Sequence, residues 1–186
     1  MREIASSDIF EGHFLLFQIL KDALLASASP SFNSRAISVS SGAHRSGKIN
    51  FDDLNFETTE YTPLGAYSQS KLANVLFANE LDRRYQSKNL RALSLHPGGI
   101  LTPLTRYLPT TDDIKADKEL YRTLKDPAQG AATTVWAAVA KEWEGKEEFT
   151  SMRLLKVGSP RQMRCTTMVA ILHRPLTLRQ RRSSGK

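Results

Sequence analysis

Two short apolar runs lie on either side of a long helical pattern, and this alternation restricts the architecture more than any other feature of the chain. Arg35-Ala36-Ile37-Ser38-Val39-Ser40-Ser41 reads as a strand with a polar end, and Leu90-Arg91-Ala92-Leu93-Ser94-Leu95 as the next strand. Between them the spacing predicts a helix from about Gly65 to Tyr85, with Leu72, Val75, Leu76, Ala78 and Leu81 toward the core. Helical spacing also marks Gly12 to Ala26 as a largely buried helix, through Phe14, Leu15, Phe17, Ile19, Leu20, Ala23 and Leu24. Ser27 to Ser34 reads as a loop, and Pro127 opens a last helix through Ala140 with Asp126 as its N-cap. Strands alternating with long helices predict an α/β fold whose parallel sheet is covered on both faces. In such sheets ligands bind beyond the carboxyl ends of the strands. Ser40-Ser41 and His96-Pro97-Gly98-Gly99 stand at those ends, and the long polar connection from Gly42 to Leu64 departs from the first.

The central helix carries a phenol and an ammonium one turn apart, Tyr67 and Lys71, in Ala66-Tyr67-Ser68-Gln69-Ser70-Lys71-Leu72-Ala73-Asn74. A free phenol titrates near pH 10 and exchanges protons poorly at neutrality. A neighbouring cation favours the phenolate and brings the group toward acid/base work on an alcohol or carbonyl oxygen. Spacing alone is weak evidence, because Tyr121 and Lys125 repeat it. Only Tyr67 and Lys71 are expected at the edge where both polar strand ends lie, so Tyr121/Lys125 reads as a surface pair. His13 and His96 read as packing or turn residues, His44 as a histidine without a partner cluster, Trp136 as core and Trp143 as half-exposed.

With 186 residues the chain suffices for one domain with a sizeable core. No run of 18 apolar residues marks a membrane span, and Phe14 to Leu20 lacks the flanks of a signal peptide, which points to a cytoplasmic protein. Cys165 is the sole cysteine, and the four histidines lack metal-ligand spacing, so no metal site is expected. The net charge of +7 is unevenly placed. Residues 149–186 hold nine Lys or Arg and no Asp or Glu, leaving 17 basic and 19 acidic residues in 1–148. The reading therefore divides the chain into a body, 1–148, and a basic tail, 149–186. Arg179-Gln180-Arg181-Arg182 could attract nucleic acid or an anionic membrane by charge, but without interleaved aromatics or a recognisable module the tail is expected to be disordered or non-native.

From Gly12 to about Ala140 the chain resembles the short-chain dehydrogenase/reductase family, nearest its retinol-dehydrogenase-like branch. The resemblance rests on five ordered blocks: Gly12-His13-Phe14-Leu15-Leu16; Ile37-Ser38-Val39-Ser40-Ser41-Gly42-Ala43-His44; Ile49-Asn50-Phe51-Asp52-Asp53-Leu54-Asn55-Phe56; the Ala66–Asn74 block; and Leu95-His96-Pro97-Gly98. It implies a partial doubly wound, Rossmann-type parallel sheet with flanking helices, and hydride transfer between an alcohol or carbonyl substrate and NADP, or alternatively NAD. By resemblance Ser41 positions the substrate oxygen, with Ser40 as the alternative. Tyr67 is the proton donor or acceptor, and Lys71 supports the phenolate and holds the nicotinamide ribose. Pro97 and Gly98 form the wall beside the nicotinamide, and Ile100 and Thr102 contact its carboxamide. The resemblance also leaves room for an oligomer.

Three departures from the family pattern stand out. No glycine-rich turn that would cradle a cofactor diphosphate occurs, so the body is expected to represent the C-terminal portion of the nucleotide fold and to bind cofactor poorly. Ile9 occupies the place of the family's relay asparagine, and an isoleucine cannot hydrogen-bond a water. After Gly145 the basic tail replaces the usual continuation. These ends are expected to reflect a misplaced or truncated start and an altered reading frame or unspliced segment, leaving a catalytically inactive truncated fragment or pseudoenzyme as the alternative function.

Overall fold

A computed structural model describes residues 6–100, 102 and 118–144. The elements follow the predicted order with one unpredicted short helix, α3, added: α1 (Ser6–Ser27), β1 (Ser34–Val39), α2 (Pro63–Tyr85), β2 (Leu90–Leu95), α3 (Lys118–Thr123) and α4 (Pro127–Val139). Short 3-10 turns lie at Gly42–Ser46, Gln86–Lys88 and Lys141–Trp143. The tail, 149–186, lies outside the described residues.

β1 and β2 pair in parallel, from Ser34 opposite Leu90 to Val39 opposite Leu95. Their side chains alternate between two cores, as a strand's two-residue period requires. Leu90 and Ala92 pack with Phe17, Phe77, Ala78 and Leu81 of α1 and α2. Leu93 and Leu95 face the other way, onto Ala137 of α4, with Ile37 beside them. Every residue of β2 is buried, which fits an α/β sheet covered on both faces.

Local chemistry explains the boundaries. Thr62 caps α2 by accepting from the Gly65 N–H at 3.2 Å, and Pro63 needs no donor partner at the first helical position. Asn89, at φ 58°, carries the left-handed turn into β2. Asp126 caps α4 as expected, in a reciprocal box with Gln129. At the far end of α4, Arg35 donates to the Ala137 and Ala138 carbonyls at 3.3 and 3.1 Å and pairs with Glu144. A cation there also suits the helix dipole.

Several expectations are corrected. β1 ends at Val39, although the Ser40 N–H still donates to the Leu95 carbonyl at 2.7 Å. α1 begins six residues before Gly12 and is only partly buried, with Leu15, Leu16, Ile19 and Leu20 exposed. Its apolar residues run all round the helix, and the sheet with α2 covers one side. Trp143 is buried, edge-on to the half-buried Trp136 with ring centroids 4.5 Å apart.

The connection after β1 is an ordered clamp. Buried Asp53 accepts from the Glu57, Thr58 and Thr59 amides and from both threonine hydroxyls, at 2.6–3.0 Å. Burial opposes its charge, yet the hydrogen bonds from Thr58, Glu57 and Thr59 outweigh that and hold the carboxyl below its ordinary 3.8. Gln69 of α2 accepts from the Asn50 N–H and donates to the Leu54 carbonyl. Because Asp53 is depressed on folding, its contribution is fully present above pH 3.8 and is lost as pH falls through the folded value. Asp53→Asn is therefore expected to accelerate Thr58 and Thr59 amide exchange at pH 6 and to flatten stability loss below pH 4. An unaltered acid profile in the variant would remove Asp53 from that role.

Candidate active site

Both strands end at one edge, and the first polar segment beyond each lies against the other. Gly42 lies against the His96 ring: a Cβ there would meet Nε2 at ordinary contact distance, 3.5 Å. Gly47, at the end of the same 3-10 turn, touches α2 so closely that a Cβ would collide with the Ser68 carbonyl oxygen. The turn after β1 is thus wedged between the turn after β2 and the segment of α2 that carries Tyr67.

The two serines divide their roles. Ser40 is buried and its hydroxyl donates to the Lys71 carbonyl at 2.6 Å, which ties β1 to α2. Ser41 is half-buried; its Oγ accepts from the Ala43 N–H at 3.2 Å and caps the 3-10 turn. Accepting that bond leaves the Ser41 hydroxyl hydrogen available to a ligand. His44, buried, donates Nδ1–H to the Ser41 carbonyl at 2.7 Å and so holds the backbone of that residue.

On α2 the neighbours of Tyr67 and Lys71 are buried, among them Ala66, Ser68, Gln69 and Ser70, which leaves the pair half-exposed on one face. The Lys71 ammonium lies 5.5 Å from the centre of the Tyr67 ring and donates to the Val39 carbonyl at 3.3 Å. Burial lowers the lysine pKa from its ordinary 10.5.

Beyond β2, Gly98 adopts φ +101°, a conformation open to glycine and strained for other residues. Lys125 crosses this turn. Its ammonium donates to the Pro97 carbonyl at 2.9 Å, its amide donates to the Gly99 carbonyl at 2.9 Å, and it forms a parallel bridge with Ile100. Tyr121/Lys125 is therefore not the surface helix pair expected: α3 ends at Thr123, and Lys125 sits at the same edge as Tyr67. Only three dimensions reveal this, since the partner lies 28 residues away. His96 carries a buried Nδ1 with no hydrogen-bond partner among the described residues. Burial lowers its pKa, reinforced by the charges of Lys125, His44 and Arg45.

The predicted residues thus gather as two linked groups: Ser41, Tyr67 and Lys71 about the end of β1, and Pro97, Gly98 and Ile100 about the end of β2. Thr102 is half-buried, and its neighbours 101 and 103–117 lie outside the described residues. Among the described residues no cluster of His, Cys, Asp or Glu could hold a metal, and no helix is long and apolar enough to cross a membrane.

The parallel α/β sheet, with Tyr67 and Lys71 on the helix at its carboxyl edge, is the arrangement expected from the family resemblance, and curated relatives bear that resemblance out. The chain is 44% identical over 137 residues to short-chain dehydrogenase/reductase prx1 of Penicillium roqueforti, covering 73% of this chain and 40% of the relative. Oxidoreductase calI of Penicillium decumbens is 47% identical over 140 residues, covering 72% and 40%. Human retinol dehydrogenase 13 is 42% identical over 135 residues, covering 70% and 40%. No protein-family model matches the chain. The chain belongs to the short-chain dehydrogenase/reductase family, with retinol dehydrogenases among its relatives, and spans about two fifths of the length of the curated relatives it matches.

Proposed function

We propose that the chain carries the catalytic segment of a nicotinamide-dependent oxidoreductase that interconverts a small-molecule alcohol and its carbonyl, with Tyr67 as acid/base. The observation that supports it best is the half-exposed Tyr67 beside the Lys71 ammonium at the edge where both strands end. Tyr67 exchanges the proton on the substrate oxygen, and the Ser41 hydroxyl orients that oxygen. Lys71 places its ammonium beside the Tyr67 ring, one helical turn away.

The nicotinamide half of a dinucleotide fits what is present. Lys71 has ammonium hydrogens to spare beyond the one given to Val39, enough to reach a ribose hydroxyl. By resemblance Pro97, Gly98, Ile100 and Thr102 would stand beside the ring and its carboxamide, with the Lys125 side chain filling the space against Gly98. The cofactor, when bound, supplies or accepts the hydride. NADP is the favoured dinucleotide by resemblance, with NAD as the alternative.

No glycine-rich motif that would cradle the diphosphate occurs in the 186-residue sequence, so no residues here are assigned to that half. A second reading is a catalytically inactive fragment or pseudoenzyme of the same family. Titration of the 186-residue chain with NADPH or NADH to millimolar concentration is expected to give no saturable fluorescence change. Fusing the N-terminal portion of a curated relative ahead of α1 should restore both binding and carbonyl reduction. Binding without any reduction in the fusion would leave only the second reading.

A further inference from the structure

Asn74 has no place in the chemistry described so far, yet its side chain is completely buried and shares an acceptor with Lys71. Its Nδ2 donates to the Val39 carbonyl at 3.1 Å, the same oxygen that Lys71 reaches at 3.3 Å. Three residues apart on α2, both side chains arrive at that oxygen from one helical face. The carbonyl is available because of the strand's phase. Ser34 and Ser40 donate their amides to β2, and Val39, one residue out of step, turns its backbone away from β2. The orientation of the amide is fixed from both ends. A carbonyl can only accept, so Nδ2 faces Val39, and Oδ1 then accepts the Nδ1–H of His13 on α1 at 3.2 Å.

We propose that Asn74 is a positioning residue for Lys71, holding the Val39 carbonyl as a shared acceptor so that the ammonium is only loosely engaged there and stays free to serve the Tyr67 side of the site. The inference rests on the proposed function for its purpose, though not for its geometry. Two donors on one carbonyl each polarise it less favourably for the other, and the shorter bond belongs to Asn74. Asn74 also ties α1, α2 and β1 together at the point where the lysine emerges. Asn74 lies on the helix that carries Tyr67, outside the segment around Ile9 where the family's relay asparagine is sought.

The test reads Lys71 itself, in the 186-residue chain, by NMR titration of its 13C-dimethylated ammonium. In Asn74→Leu the lysine gains the carbonyl for itself, and its midpoint is expected to rise by roughly half a pH unit or more. His13→Ala loosens the amide from an exposed position and should raise the midpoint by less, so it keeps the test open if Asn74→Leu fails to fold. Val75→Ala, at a buried apolar position on the same helix, controls for general loosening and should leave the midpoint in place. An unmoved midpoint in Asn74→Leu and His13→Ala would overturn the inference, as would an equal rise in Val75→Ala. Neither result bears on whether Tyr67 is the acid/base, which turnover of Tyr67→Phe decides separately.

Discussion

Tyr67→Phe is expected to lower carbonyl reduction by roughly 10²- to 10⁴-fold in the cofactor-competent fusion, the range ascribed to a positioned general acid. The substitution deletes one oxygen and keeps the ring. The Lys71 ammonium, 5.5 Å from the ring centre, therefore keeps its cation–π partner, and buried Ala66 and Ser68 keep the helix seated. Cofactor affinity should change little, because Lys71 and the Pro97–Gly98 turn remain. Single-turnover reduction, with cofactor binding measured separately, distinguishes these effects. A loss confined to affinity, or turnover within a fewfold of the parent, would refute the assigned role. Lys71→Met is the informative companion. It removes the charge beside the phenol and also the bond to Val39, so both affinity and turnover should fall.

How much of this could be read from the sequence depended on the range of the interaction. The strands, α2 and the cap of α4 were legible because a two-residue or 3.6-residue period and an Asp-Pro start act over one or two turns. What distinguishes the surroundings of Ser40 from those of Ser41 was not legible, because the Ser40 hydroxyl finds its acceptor, the Lys71 carbonyl, 31 residues away. Lys125 was misread for a related reason: its i−4 spacing to Tyr121 suggested a helix face, whereas α3 stops short and the lysine spans the Pro97–Gly99 turn. Trp143 looked like a half-exposed helix end because nothing local shows that the following 3-10 turn folds back onto Trp136. On α1, apolar residues at successive positions gave a strong helix signal and no information about which side is covered. Phe14 and Phe17 pack inward, while Leu15, Leu16, Ile19 and Leu20 face out.

That inward side of α1 leads to the second large effect. Phe77→Ala is expected to destabilise the fold by about 3–5 kcal/mol, the usual cost of emptying a buried aromatic site. Phe77 is 5% exposed and stands at the crossing of α1, α2 and β2. Phe14 and Phe17 meet its ring edge-on, with centroids 6.2 and 5.9 Å away, so truncation opens a void and removes two favourable ring contacts. The residues around the void stand on α1, α2 and β2 and cannot all collapse into it. A domain is ordinarily stable by about 5–15 kcal/mol, so the variant should unfold at much lower urea or be largely unfolded without it. Val139→Ala, at a residue 70% exposed, is the contrasting case and should stay within about 0.5 kcal/mol of the parent. Because Phe77 lies ten residues along α2 from Tyr67, any folded remainder of Phe77→Ala should keep the Lys71–Val39 bond. Urea midpoints for both variants check the argument, and a Phe77→Ala loss below about 1 kcal/mol would mean that α1 is not packed on α2.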